Sequence, residues 1–117
     1  MQKNVEPAVI NNVLKLSIKE RLYFTNILPA QGNLIDMTLR QDIIKKVAIN
    51  QEEIKNYNIR VENEATFWDA KKDTGLPLLL TNAEIEYLKK AAKQIDQESK
   101  ITCDTLSIIK KIFDLLR

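Results

Sequence analysis

The chain contains no histidine, and this absence removes more chemistry than any other feature of its 117 residues. Without an imidazole there is no Ser-His or Cys-His nucleophile pair and no histidine general base near neutral pH. Zinc hydrolase sites built on histidine ligands are excluded as well. Cysteine is nearly as scarce. Cys103 stands alone, which rules out an intramolecular disulfide and a cysteine-based zinc site. It lies near a helix start, where the dipole favours a thiolate, but without a histidine partner it reads as a semi-buried spectator. Glycine occurs only at Gly32 and Gly75, so neither GxGxxG nor GxxxxGK[ST] can be written. Two glycines and three prolines also favour long regular elements over many turns. Aromatic residues make up 6% of the chain, with a single tryptophan, Trp68. That is too few for a platform on which single-stranded nucleic acid stacks, and Trp68 reads as a hairpin core residue. The longest apolar run, residues 76–80, is interrupted by Pro77 and falls far short of the ~20 residues that span a bilayer.

The rest of the composition is ordinary for a globular protein, with 44% hydrophobic and 29% charged residues. The length predicts one domain, 1–117, with residues 1–12 as an extended arm lacking an apolar signal-peptide core. A net charge of +2 is too small to imply a polyanionic partner.

Four Ser/Thr/Asn residues stand three positions before a Glu or Gln at the head of an apolar pattern. They are Ser17–Glu20, Thr38–Gln41, Asn50–Glu53 and Thr81–Glu84, and each predicts a helix start closed by a capping box. The first helix, 18–28, has apolar residues all round its axis and is predicted to be the most buried. Pro29 ends it, 30–33 form a turn, and Leu34 and Ile35 lead into a central pair of helices over 38–60. There Leu39, Ile43, Ile44 and Val47 share one side, and Ile54 and Tyr57 face inward from the second helix. Gln51, Glu52, Lys55 and Asn56 remain outside.

Alternation over 59–67 predicts a strand, residues 69–75 a turn, and 76–80 a return strand, with 13–16 as a third strand candidate. A fourth helix follows Thr81 with the stripe Ile85, Leu88, Ala91, Ala92 and Ile95. A fifth, opened by Thr102 and Asp104, runs to Arg117. Its apolar stripe is wider than one core contact needs. Either this helix wedges between two others, or Ile108 and Leu115 at the stripe's margin contact a second chain. The predicted fold is mainly α, of the α+β class: about five helices with a small β-hairpin and a helix-turn-helix-like central pair.

Two functional readings follow. Helix pair plus hairpin is the outline of a winged helix, with Gln51, Lys55 and Asn56 as base-reading residue types and Lys71-Lys72 at a wing tip near phosphate. The charge map opposes it. Residues 38–60 carry net +2, but 61–81 carry net −2, and the second helix opens on Glu52-Glu53. The other reading is contact with a protein. Glu62 and Glu64, on one strand face, are the minimum for acid/base or divalent-cation chemistry, but no third ligand accompanies them. No catalytic, cofactor or metal residue is assigned, and an enzyme is not expected.

Residues 17–57, opening on SIKERLYFTNILPAQGN, resemble a group of small tailed-phage and prophage proteins that lack an established activity. The matching positions are Lys19-Glu20-Arg21-Leu22, Leu28-Pro29, Gly32, Gln51-Glu52-Glu53-Ile54, Trp68 and the helix of residues 83–95. The resemblance implies a phage context, in host cytoplasm or virion, and no cofactor. The expected function is therefore a non-catalytic virion component or accessory factor. Its partner is a viral or host protein, or a second copy held through the C-terminal helix; nucleic acid is the lesser alternative, and no membrane is involved. The candidate contact residues are Glu52, Lys55, Asn56, Lys71, Lys72, Ile108 and Leu115.

Overall fold

A computed structural model of the chain describes residues 12–115. The α+β class is as predicted. Strand β1 (Val13–Leu16) leads into helix α1 (Ile18–Tyr23) and a 3-10 turn, Phe24–Ile27. Helices α2 (Leu34–Val47) and α3 (Gln51–Asn56) follow, then the hairpin of β2 (Arg60–Glu62) and β3 (Ala65–Phe67). A second 3-10 turn (Ala70–Lys72), β4 (Leu76–Leu79), α4 (Asn82–Gln97) and α5 (Leu106–Phe113) complete the order. The predicted arm lies outside the described residues except for Asn12, whose carbonyl accepts a hydrogen bond from Leu80 N–H at 3.0 Å. Among the described residues no helix is long and apolar enough to cross a membrane.

The strand pairing differs from the hairpin read off the sequence. Residues 76–79 return to β1, antiparallel, with Leu14 opposite Leu78 and Leu16 opposite Leu76. The hairpin closes earlier, by pairing β2 with β3. Its two-residue turn, Asn63-Glu64, has positive φ at both positions, 52° and 67°, the backbone that matches the twist of paired strands. Residues 69–75 therefore link two sheets.

The core lies between the β1–β4 pair and the helices. Leu14 and Leu16 point inward by strand alternation and meet Leu78 and Leu80. Phe24, Ile27 and Leu28 fill the space beside Ile43 and Val47 of α2, Ile85, Leu88 and Ala92 of α4, and Ile108, Ile109 and Ile112 of α5. The 18–28 segment tightens into a 3-10 turn after Tyr23 and, as expected, buries a larger share of its residues than any other helical segment described, although Leu22 is left exposed.

Three of the four start signals act as predicted, and each capping glutamate has a second role. Glu20, Glu53 and Glu84 each return a carboxylate to their own N-cap backbone and also bind a basic side chain from another helix. Lys111 Nζ lies 2.6 Å from Glu20, Arg21 Nη1 2.6 Å from Glu53, and Lys46 Nζ 2.6 Å from Glu84. The fourth signal is not used. Helix α2 begins one turn early, capped by Asn33 accepting from Asp36 N–H at 2.8 Å, and the Thr38 hydroxyl donates instead to the Leu34 carbonyl. Helices α3 and α4 both stop with a residue in the left-handed region, Asn58 at φ 54° and Ser99 at φ 55°. Behind them Ile59 N–H returns to the Ile54 carbonyl and Lys100 N–H to that of Ile95.

Candidate protein-contact surfaces

Helix α3 is a short surface helix with no buried residue. Its inner residue Ile54 is exposed, not turned into the core as the central-pair pattern predicts. What holds α3 is Arg21, whose side chain is 2% exposed and reaches it from α1. Its Nε–H and Nη2–H donate to the Val47 and Ala48 carbonyls at the end of α2, at 2.9 and 2.8 Å, and its fork closes on Glu53. The carbonyls at the end of α2 and the head of α3 are thus joined through one guanidinium. That bond to Arg21, then the Asn50 N–H, hold the Glu53 carboxyl below the usual range against the effect of burial. Glu53 is committed to structure, while Glu52, Lys55 and Asn56 stay exposed.

Lys71 and Lys72 are exposed but do not form a hairpin tip, because the tip is Asn63-Glu64. Lys72 Nζ lies 3.5 Å from the Asn56 carbonyl oxygen and 3.8 Å from Asp69. The fold thus brings together Asn56 and Lys72, which the sequence placed on separate elements. Acidic Glu64 stands at the true tip, where a DNA-binding wing needs positive charge. Trp68 is half-buried and lines a groove between the hairpin and Leu22 and Tyr23 of α1, so it is not a residue of the hairpin's own core.

The two C-terminal candidates are core residues. Ile108 is 0% and Leu115 1% exposed. Helix α5 packs on α4 and on β1, which accounts for the width of its stripe, and the apolar residue it leaves exposed is Leu106. Cys103 is exposed, not semi-buried. Glu62 pairs with Arg60 at 3.2 Å, and Glu64, in the turn, does not continue the strand alternation. Among the described residues no three acidic or cysteine side chains group as metal ligands.

The surface that the sequence reading missed is the first turn of α2. Leu34 is 83% and Ile35 72% exposed, adjacent residues held outward by the Asn33 cap. Next to them, between this turn, residues 29–31 and α4, is a cleft of about 360 Å³ lined by Asp36, Tyr87, Lys90 and Gln94 among others. Arg40 Nε–H donates to the Pro29 carbonyl at 2.9 Å and fixes one wall. Tyr87 is 6% exposed, and its hydroxyl has no hydrogen-bond partner among the described residues. Burial pushes its phenol pKa up; the nearby Arg40 charge lowers it and Asp36 raises it further. The signal for this surface was present as Asn33 three residues before Asp36, a start signal that Thr38–Gln41 overshadowed. Comparison with known proteins returned no family model, no curated protein and no solved structure that matches the chain.

Proposed function

We propose that the chain is a non-catalytic protein that acts by contacting another protein, with the first turn of α2 as the contact surface. The observation that carries this reading is the pair Leu34 and Ile35, two large aliphatic side chains left in water side by side at the start of a helix. Scattered apolar residues are normal on a surface, but an adjacent pair next in sequence to a residue of a cleft with an unpartnered buried hydroxyl supports contact with a partner there. Burying both is worth about 3–6 kcal/mol before the costs of association. A tailed-phage or prophage setting, as virion component or accessory factor, is part of the proposal and rests on the resemblance over residues 17–57.

The test is capture of the partner from infected or lysogenic cells by three forms: wild type, a Leu34→Glu/Ile35→Glu double variant, and Lys71→Glu/Lys72→Glu. The expected outcome is a protein retained by the wild type and the lysine variant and lost by the α2 variant. Capture that ignores the α2 substitutions contradicts the reading.

A second reading, DNA binding through α3, has one observation in its favour, the approach of Lys72 to Asn56. Duplex binding at low salt that weakens steeply as salt rises is its signature. The exposed Glu52 and Glu64 make it the weaker reading.

A further inference from the structure

We propose that the cleft beside the first turn of α2 receives an arginine side chain of the partner protein, whose guanidinium pairs with the Asp36 carboxylate next to the Tyr87 hydroxyl. The inference rests on the contact reading above and adds the chemistry of the residue that anchors the contact. The cleft's volume of about 360 Å³ accommodates one long side chain. Asp36 lines it with a mostly buried side chain, and its oxygens accept no hydrogen bond among the described residues. The nearest cation, Lys90 Nζ, stands at 3.8 Å, beyond hydrogen-bond length. Tyr87 lines the same cleft with its buried hydroxyl unpartnered. Among the described residues the Tyr87 hydroxyl is a buried polar group without a partner, which is unusual, and beside it Asp36 is a partly exposed carboxylate held only by the long ion pair with Lys90.

A guanidinium carries five N–H donors in one plane, two of which match a carboxylate and leave others for a neighbouring oxygen. The chain uses this same pairing internally at Arg21 and Glu53. Lys90 is mostly exposed and can swing into solvent, leaving Asp36 to the incoming group. An anion entering the cleft would face the Asp36 charge at close range. The positive charges of Arg40 and Lys90 act in the opposite sense, so an anionic probe belongs in the test. Leu34 and Ile35 precede Asp36 in the same turn and would meet apolar residues flanking the partner's arginine.

The experiment follows backbone amide shifts of the full chain at residues 30–36 and 87–94. The probes are N-acetylarginine amide, its neutral isostere N-acetylcitrulline amide, and acetate. The expected result is a saturable response to the arginine probe alone, weakened about tenfold or more in Asp36→Asn and reduced in Tyr87→Phe. The thermal midpoint of Tyr87→Phe should equal or exceed that of the wild type, because removing a hydroxyl without a partner strands no other group. No saturable response, an equal response to citrulline, or a response to acetate alone overturns the proposal. If the arginine probe fails while Leu34→Glu/Ile35→Glu still abolishes capture, only the anchor falls and the contact reading stands. Capture indifferent to those two substitutions overturns the contact reading itself, whatever the probe does.

Discussion

Arg21 and Glu53 face each other across the junction of three helices, with Nη1 2.6 Å from Oε2 and Nη2 2.9 Å from Oε1. The pair is largely removed from water, and the guanidinium also holds the Val47 and Ala48 carbonyls. Charges buried in this way contribute through geometry, because losing one partner strands the other.

Arg21→Ala should therefore destabilise the fold by about 3–5 kcal/mol, read as a lower urea midpoint. Arg21→Lys should recover part of this but not the forked bond. Hydrogen exchange should show α3 losing protection before the β1–β4 pair, since Arg21 is its main attachment. Equal loss across both elements would contradict this.

The three capping glutamates predict an acid limb to stability. Burial raises the Glu20 pKa, but Lys111, the Ser17 N–H and the Ser107 hydroxyl outweigh it and leave the carboxyl lowered. Burial likewise opposes the lowering at Glu84, where Lys46 and the Thr81 cap prevail. At Glu53 the Arg21 bond leads. A carboxyl whose folded pKa lies below its unfolded value stabilises fully above the ordinary glutamate range, about 4.3, and loses that contribution as pH falls through the folded value. Urea unfolding should show these contributions unchanged between about pH 7 and 6 and declining below about pH 4. Glu53→Gln should be less stable at neutral pH and decline less steeply in acid. A variant with the wild-type acid slope would rule out the Arg21–Glu53 pair as a source.

Ile108 and Leu115 should behave as core, not as an interface. Truncating either to Ala is expected to cost about 2–5 kcal/mol with no change in oligomeric mass at concentrations where the variant is folded. A change in mass by light scattering without a loss of stability would return them to the surface.

Of the four non-glycine residues described with left-handed backbone, two are asparagines, Asn58 and Asn63, and the other two, Glu64 and Ser99, hold a conformation that glycine takes without strain. Ser99→Gly and Glu64→Gly should each raise stability by about 0.5–1 kcal/mol, the second by completing an Asn-Gly turn. Thermal midpoints that fall would show these side chains to have a role beyond the turn.

What was legible in the sequence was local. Ser17–Glu20, Asn50–Glu53 and Thr81–Glu84 announce their helices because a capping box is written within four residues, and the α4 stripe follows from spacing alone. Pairing was not legible in the same way. Residues 76–79 suit a hairpin with 59–67 as well as a return to β1, and the choice was made by Asn63-Glu64 adopting a turn that its composition announces weakly. Thr38 has the form of a cap, but Asn33 one turn earlier pre-empts it and carries Leu34 and Ile35 into the helix. The candidate contact surface was hidden for that reason, since both residues read as lead-in. The basic partners of Glu20, Glu53 and Glu84 are distant in sequence and carry no local mark.

A photo-crosslinking amino acid placed at residue 35, with the same group at residue 93 on α4 as control, tests the central claim most directly. In cells where the partner is present, residue 35 should give one discrete protein adduct that Leu34→Glu suppresses, and residue 93 should give much less of it. No adduct at residue 35, or equal labelling at both positions, would contradict the claim that the first turn of α2 is where this protein meets its partner.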